Sequence, residues 1–231
     1  MDGAPENTMA AFAHAVELGY RYVETDVHAT ADGVLLAFHD DKLDRVTDRV
    51  GVIAELPYAE VKLARVDGTH PIPTFDELLN AWPDLRLNID PKADNAEGPL
   101  IEALQRADAL DRICIGSFSG ARLGRLRAAL GPGLCTSMGP WDVARLRFAS
   151  WGLPTGRFAA NCAQVPEKGY GIHLPDRAFV RAAHARGLKV HVWTINDEAS
   201  MRRLLDVGVD GIVSDETKLL KRVLQERGQW P

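Results

Sequence analysis

From Leu85 onward the chain repeats one pattern: a short apolar run, a turn, and then a segment with helical spacing. LRLNID at 85–90 is followed by a helix over Pro99 to Ala107, Arg112 to Gly116 by a helix over Gly120 to Leu130, and Gly133 to Thr136 by one over Asp142 to Ser150. The order returns in Asn161 to Val165 with Asp176 to Arg186, in Leu188 to Thr194 with Asp197 to Asp206, and in Gly211 to Val213 with Thr217 to Gln225. Strands this apolar need cover on both faces, and helices intervening between them make neighbouring strands run parallel. About eight such units close into a barrel. The 231 residues suit one such domain, since barrels run about 200 to 250 residues. The expected fold class is therefore α/β, a TIM (β/α)8-type barrel, with residues 1–231 as a single domain.

The N-terminal part departs from this regularity. Met1 to Thr8 reads as a loop, Asn7 or Thr8 caps a helix over Met9 to Leu18, and Gly19 stops it. No strand precedes that helix, so the barrel is expected to lack its first strand, with an exposed apolar edge beside 21–27 and 211–213. Val34 to Phe38 is a continuous apolar run. The Thr30 to Gly33 connection before it is too short for a crossover helix, which leaves either a plain extended return or a hairpin. A polar connection covers 40–57 and a short amphipathic segment Tyr58 to Leu63. Thr74 then opens a helix to Trp82, with Glu77 placed for a capping box.

Glu24 and Asp26 lie two apart in the apolar run after Gly19, so on a strand both carboxylates point to one face. The Val34 to Phe38 run delivers His39, Asp40 and Asp41 at its end. Like charges held close repel and lose solvation unless something positive compensates. A divalent cation does so, and oxygen ligands select Mg²⁺ or Ca²⁺ over zinc. Two acids on a half-exposed strand face would also produce this pattern. Barrels carry their chemistry at the C-terminal ends of strands, and that rule adds Asp90 and Lys92, Ser117 and Phe118, Gln164 and Pro166, Trp193 and Asn196, and Asp215. Asp90 supplies a third carboxylate, and Lys92, two residues on, a positive charge on the same side. A metal, a lysine and a histidine suit phosphoryl chemistry better than sugar or carbonyl chemistry.

A net charge of −5 leaves no footprint for nucleic acid or an acidic membrane. No apolar run approaches the roughly 18 residues of a membrane span, and no signal peptide opens the chain. Cys114, Cys135 and Cys162 sit in apolar runs and read as buried free thiols of a reducing compartment, which places the protein in the cytoplasm. Trp141, Phe148 and Trp151 share roughly helical spacing and read as core packing rather than an apolar rim.

The runs PENT at 5–8, ETDVHATADGVLLAFHDDKLDRVT at 24–47, LNIDPK at 87–92, HVWTIN at 191–196 and GIVSDET at 211–217 together resemble the glycerophosphodiester phosphodiesterase family. The blocks are collinear and span nearly the whole chain. The resemblance implies a TIM barrel hydrolysing glycerophosphodiesters to glycerol 3-phosphate and an alcohol, a phosphoric diester hydrolase with Mg²⁺ or Ca²⁺. It implies that Glu24, Asp26 and Asp90 hold the metal, that His39 and Lys92 are catalytic with Lys92 meeting the phosphate, and that Glu6, Lys92 and Trp193 contact the substrate. Asp90 stands where the family usually has glutamate. The family's other catalytic histidine and a phosphate-binding arginine fall upstream of the PEN motif, ahead of Met1, so the resemblance implies impaired turnover in the chain as given. His28 is the nearest substitute for that histidine. Two alternatives stay open: a non-catalytic barrel that binds a phosphodiester or phosphate, and a relative acting on lysophospholipids.

Overall fold

The computed structural model describes residues 4–169 and 172–230. They fall into two compact units, one of residues 4–117 with 121–135 and one of residues 118–120 with 136–230, residues 170–171 excepted.

In the first unit helix α1 (Met9–Glu17) begins where the Thr8 hydroxyl accepts the Ala11 N–H at 3.2 Å, and it ends before Gly19 at φ 94°. Strand β1 (Tyr22–Ala29) turns tightly into β2 (Leu35–Ala37), and the two pair antiparallel with Val27 opposite Ala37 and Ala29 opposite Leu35. Of the two returns open to the sequence, the hairpin is the one adopted. Gly33 closes it at φ 82°, a left-handed backbone that glycine adopts without strain. The long excursion that follows holds α2 (Tyr58–Val61) and a small hairpin of β3 (Arg65–Val66) and β4 (His70–Pro71). It packs on a local core of Leu36, Phe38, Leu43, Ile53, Val61 and Ile72.

Helix α3 (Phe75–Ala81) starts with the expected capping box: the Glu77 N–H donates to Thr74 Oγ1 at 3.2 Å and the Thr74 N–H to Glu77 Oε2 at 2.8 Å. Replacing Thr74 with Ala is expected to lower unfolding stability by about 1 kcal/mol. A urea titration with an unchanged midpoint would contradict that assignment.

Strand β5 (Arg86–Pro91) lies parallel to β1, with Glu24 opposite Asn88 and Asp26 opposite Asp90. After α4 (Glu97–Arg106), β6 (Ile113–Ile115) pairs parallel with β5, and α5 (Gly120–Leu130) leads to β7 (Cys135–Thr136). The sheet order is β2-β1-β5-β6-β7. Val27, Ile89, Ile115, Leu100, Leu104 and Leu123 fill the space between this sheet and its helices. Of the stretch 21–27, where an apolar edge is expected, β2 pairs with Val27 alone and goes on to His28 and Ala29.

The second unit holds α6 (Pro140–Ser150), β8 (Cys162–Pro166), a small hairpin of β9 (Lys168–Gly169) and β10 (Ile172–His173), then α7 (Arg177–His184), β11 (Lys189–Trp193), α8 (Glu198–Val207), β12 (Gly211–Ile212) and α9 (Thr217–Glu226). β8, β11 and β12 are parallel in the order β12-β11-β8. Val165, Val190, Val192, Phe179 and Leu204 are buried around them.

Two expectations fail on exposure. Only Cys162 of the three thiols is buried; Cys114 and Cys135 are half-buried, because apolar neighbours in sequence do not fix which face of a strand of two or three residues turns inward. Trp141, Phe148 and Trp151 are not core residues: they are 73%, 43% and 61% exposed, while Leu146 and Ala149 fill the inner face of α6. No helix among the described residues is long and apolar enough to cross a membrane.

Candidate active site

The alternation of β1 and the register of β1 with β5 together build an acidic face in the first unit. Glu24 and Asp26 point the same way because they are two apart, and the parallel ladder sets Asp90 beside Asp26 and Asn88 beside Glu24. Lys92 Nζ lies 2.6 Å from Asp26 Oδ1 and 3.1 Å from Asp90 Oδ2, bridging the two acids. The Asp26 and Asp90 side chains are only 10% and 16% exposed. Burial pushes the Asp90 carboxyl above its ordinary pKa, opposed by the Lys92 ammonium. Burial also pulls on Lys92, but the Asp26 and Asp90 carboxylates outweigh it and the lysine is raised. Behind the end of β5, Arg122 Nη1 donates to the Pro91 carbonyl at 2.7 Å and to Ser117 Oγ at 3.1 Å.

The end of β2 carries a second arrangement. His39 Nδ1 is 2.6 Å from Asp40 Oδ1, and the Arg45 fork donates from Nε to Asp40 Oδ2 at 2.6 Å and from Nη2 to Asp40 Oδ1 at 3.0 Å. Arg45 also pairs with Glu6. The Arg45 bonds come first in holding the Asp40 carboxyl at about 2, with partial burial opposing and His39 assisting. Because the folded value is depressed, this contribution to stability is present in full above the ordinary carboxylate pKa of about 3.9 and is lost as pH falls through about 2. His28, on the same face as Asp26, is buried, and its Nε2 donates to the His39 carbonyl at 3.1 Å. Burial lowers its pKa, opposed by its bond to the His39 carbonyl.

Of the residues singled out in the sequence, Asp26, Asp90 and Lys92 meet directly, Glu24 shares their face, and His39 and Glu6 are joined through Asp40 and Arg45. Trp193 belongs to the second unit, where it packs edge-on against Phe118 at 5.7 Å, and Asn196 Nδ2 there donates to Asp215 Oδ2 at 2.9 Å. Three contributors escaped the sequence reading. Asn88 was reachable, since it precedes Asp90 by two and shares its face. Arg45 lies inside the HDDKLDRVT run but carries no spacing signal toward Glu6, and Arg122 approaches β5 from a distant helix.

Asp90 and Asp26 side by side, Glu24 on the same face and the Asn88 register position form an oxygen-rich donor set that suits a hard divalent cation. Among the described residues, the grouping whose ligand-type atoms all lie within 4.8 Å of one another is Glu6, His39 and Asp40; Glu24, Asp26 and Asp90 do not meet that distance. Each cluster already holds a fixed cation, the Arg45 guanidinium in that of Glu6, His39 and Asp40, and the Lys92 ammonium between Asp26 and Asp90. Carboxylates and a lysine on neighbouring parallel strands of an α/β framework are compatible with phosphoryl chemistry.

The sequence profile of the glycerophosphoryl diester phosphodiesterase family matches residues 2–219, and the chain belongs to that family. The protein named "Probable glycerophosphodiester phosphodiesterase 2" of Mycobacterium tuberculosis is 38% identical, covering 98% of this chain and 88% of its own length. A glycerophosphodiester phosphodiesterase of Caldanaerobacter subterraneus is 30% identical over 97% of this chain and 94% of its own. The solved structure of a phosphodiesterase of Oleispira antarctica in complex with the product sn-glycerol-3-phosphate superposes with a TM-score of 0.80 at 26% identity, covering 96% of this chain and 92% of that one. The fold class is accordingly the α/β barrel of that family.

Proposed function

We propose that the protein hydrolyses glycerophosphodiesters to glycerol 3-phosphate and an alcohol, with one divalent cation, Mg²⁺ or Ca²⁺, held by Glu24, Asp26 and Asp90. The observation that carries this reading is Lys92 Nζ between Asp26 and Asp90 at 2.6 and 3.1 Å, a cation and two shielded carboxylates on one strand-end face. When bound, the cation supplies Lewis-acid polarisation of a phosphoryl oxygen. Lys92 neutralises charge on the phosphate in the transition state, where a fixed cation in a partly dehydrated site acts most strongly. His39, with Nδ1 engaged by Asp40, offers Nε2 for proton transfer at the reacting oxygen. Glu6, held by its pairing with Arg45, is proposed to contact the substrate.

The test is a substrate panel with the protein: a soluble glycerophosphodiester, a lysophospholipid and glycerol 3-phosphate itself, each with Mg²⁺ or Ca²⁺. Release of glycerol 3-phosphate from the diester, with no phosphate released from the monoester, is the expected result. Saturable diester binding without turnover under either cation would replace this reading with the non-catalytic one, and turnover confined to the lysophospholipid would replace the substrate class.

A further inference from the structure

Glu6, His39 and Asp40 stand close enough to share a ligand, yet the guanidinium of Arg45 is already among them. Its planar fork meets both Asp40 oxygens, and the same Nη2 reaches Glu6, so one fixed positive charge satisfies two acids. We propose that Arg45, anchored by Glu6, is a positioning residue: it locks Asp40, and Asp40 in turn fixes the His39 ring with Nδ1 protonated and Nε2 as the proton-transfer nitrogen. This rests on the reading of His39 as a proton-transfer group in diester hydrolysis.

The anchorage explains why two remote loops are needed. Glu6 and Arg45 are 39 positions apart. Glu6 is held by its neighbour Asn7, which adopts a left-handed backbone at φ 53° and accepts the hydroxyl of the fully buried Thr25 at 2.7 Å through Oδ1. Arg45 is held from the other side, where the buried Leu43 carbonyl accepts the Thr47 N–H at 3.1 Å. The His39 side chain is 54% exposed, so packing does not orient the ring. Its orientation comes from Asp40, and the Asp40 carboxylate has two rotatable bonds that only a bidentate partner removes. The His28 bond to the His39 carbonyl fixes the backbone, which leaves the ring as the remaining freedom.

The test joins kinetics on a soluble glycerophosphodiester with ¹⁵N spectra of the imidazoles, the His39 signals being identified by their loss in His39→Gln. The wild type is expected to show a single His39 tautomer with Nδ1–H. Arg45→Met is expected to show a mixture and to lose about ten- to a hundredfold in kcat with KM within about twofold, the scale typical of residues that orient a reacting ligand or base. Arg45→Lys keeps the charge without the fork and is expected to fall between; Glu6→Gln is expected to move the same readouts less, and carries the test if Arg45→Met does not fold. An unchanged tautomer in Arg45→Met overturns the proposal, whatever happens to kcat. So does loss of the wild-type His39 Nδ1–H signal on adding Zn²⁺ alone, which would make Nδ1 a metal ligand. A wild type without turnover would fail the proposed function, and the tautomer readout would still decide the role of Arg45.

Discussion

Replacing His39 with Ala is expected to reduce kcat on a glycerophosphodiester by about 10²- to 10⁴-fold, the usual contribution of one positioned proton-transfer group. The protein should fold normally, because the side chain is more than half exposed and its described polar bond is to Asp40 alone. Exposed substitutions of this kind stay within about 0.5 kcal/mol of the parent. Thermal melts should therefore overlay while steady-state rates separate. A variant within threefold of the parent rate, roughly 0.65 kcal/mol in barrier, would remove His39 from the chemistry.

Lys92→Met is expected to act on stability as well as rate, with the stability loss depending on the cation. With chelator present the variant leaves Asp26 and Asp90 side by side, both largely shielded from water, without the ammonium that bridges them. Breaking a buried ion pair by removing one partner costs about 3 to 5 kcal/mol, and Lys92 is a quarter exposed, so a loss of about 2 kcal/mol is expected here. A divalent cation then restores most of it, since a ligand at a hundredfold excess over its Kd stabilises by about 2.7 kcal/mol. Turnover stays low even with the cation, because the charge that meets the phosphate is gone.

The pH sign of this prediction follows from the raised Lys92 pKa. Its stabilisation is present in full below the ordinary lysine value of about 10.4 and fades as pH rises through the higher folded value, so the parent should show an alkaline limb in chelator that the variant lacks. Identical melts for parent and variant in chelator would show that the lysine does not close this site.

Local rules carried much of the fold. Alternating apolar runs located β5, β8 and β11, and the Thr74 and Glu77 spacing announced the capping box that α3 displays. The same rules placed Glu24 and Asp26 on one face, because side-chain alternation needs only the sequence of a single strand. They could not supply the register that sets Asp26 beside Asp90, which depends on how two strands 64 residues apart align. The pairing of Glu6 with Arg45 was out of reach for a similar reason: it is made between loops, whose geometry comes from Asn7, Thr25 and Leu43 together. The exposure of Trp141 and Trp151 was misread because helical spacing identifies a face without saying which way it turns.

Following one sample by ³¹P NMR tests the central claim most directly. The protein and a soluble glycerophosphodiester are held first with chelator and then with excess Mg²⁺ or Ca²⁺, beside an Asp26→Asn sample treated identically. The expected record is a constant diester resonance in chelator, its replacement by that of glycerol 3-phosphate once the cation is added, and no such conversion by Asp26→Asn. Conversion at the same rate in chelator, or an Asp26→Asn protein as fast as its parent, would contradict the assignment of the β1–β5 acidic face to the reaction.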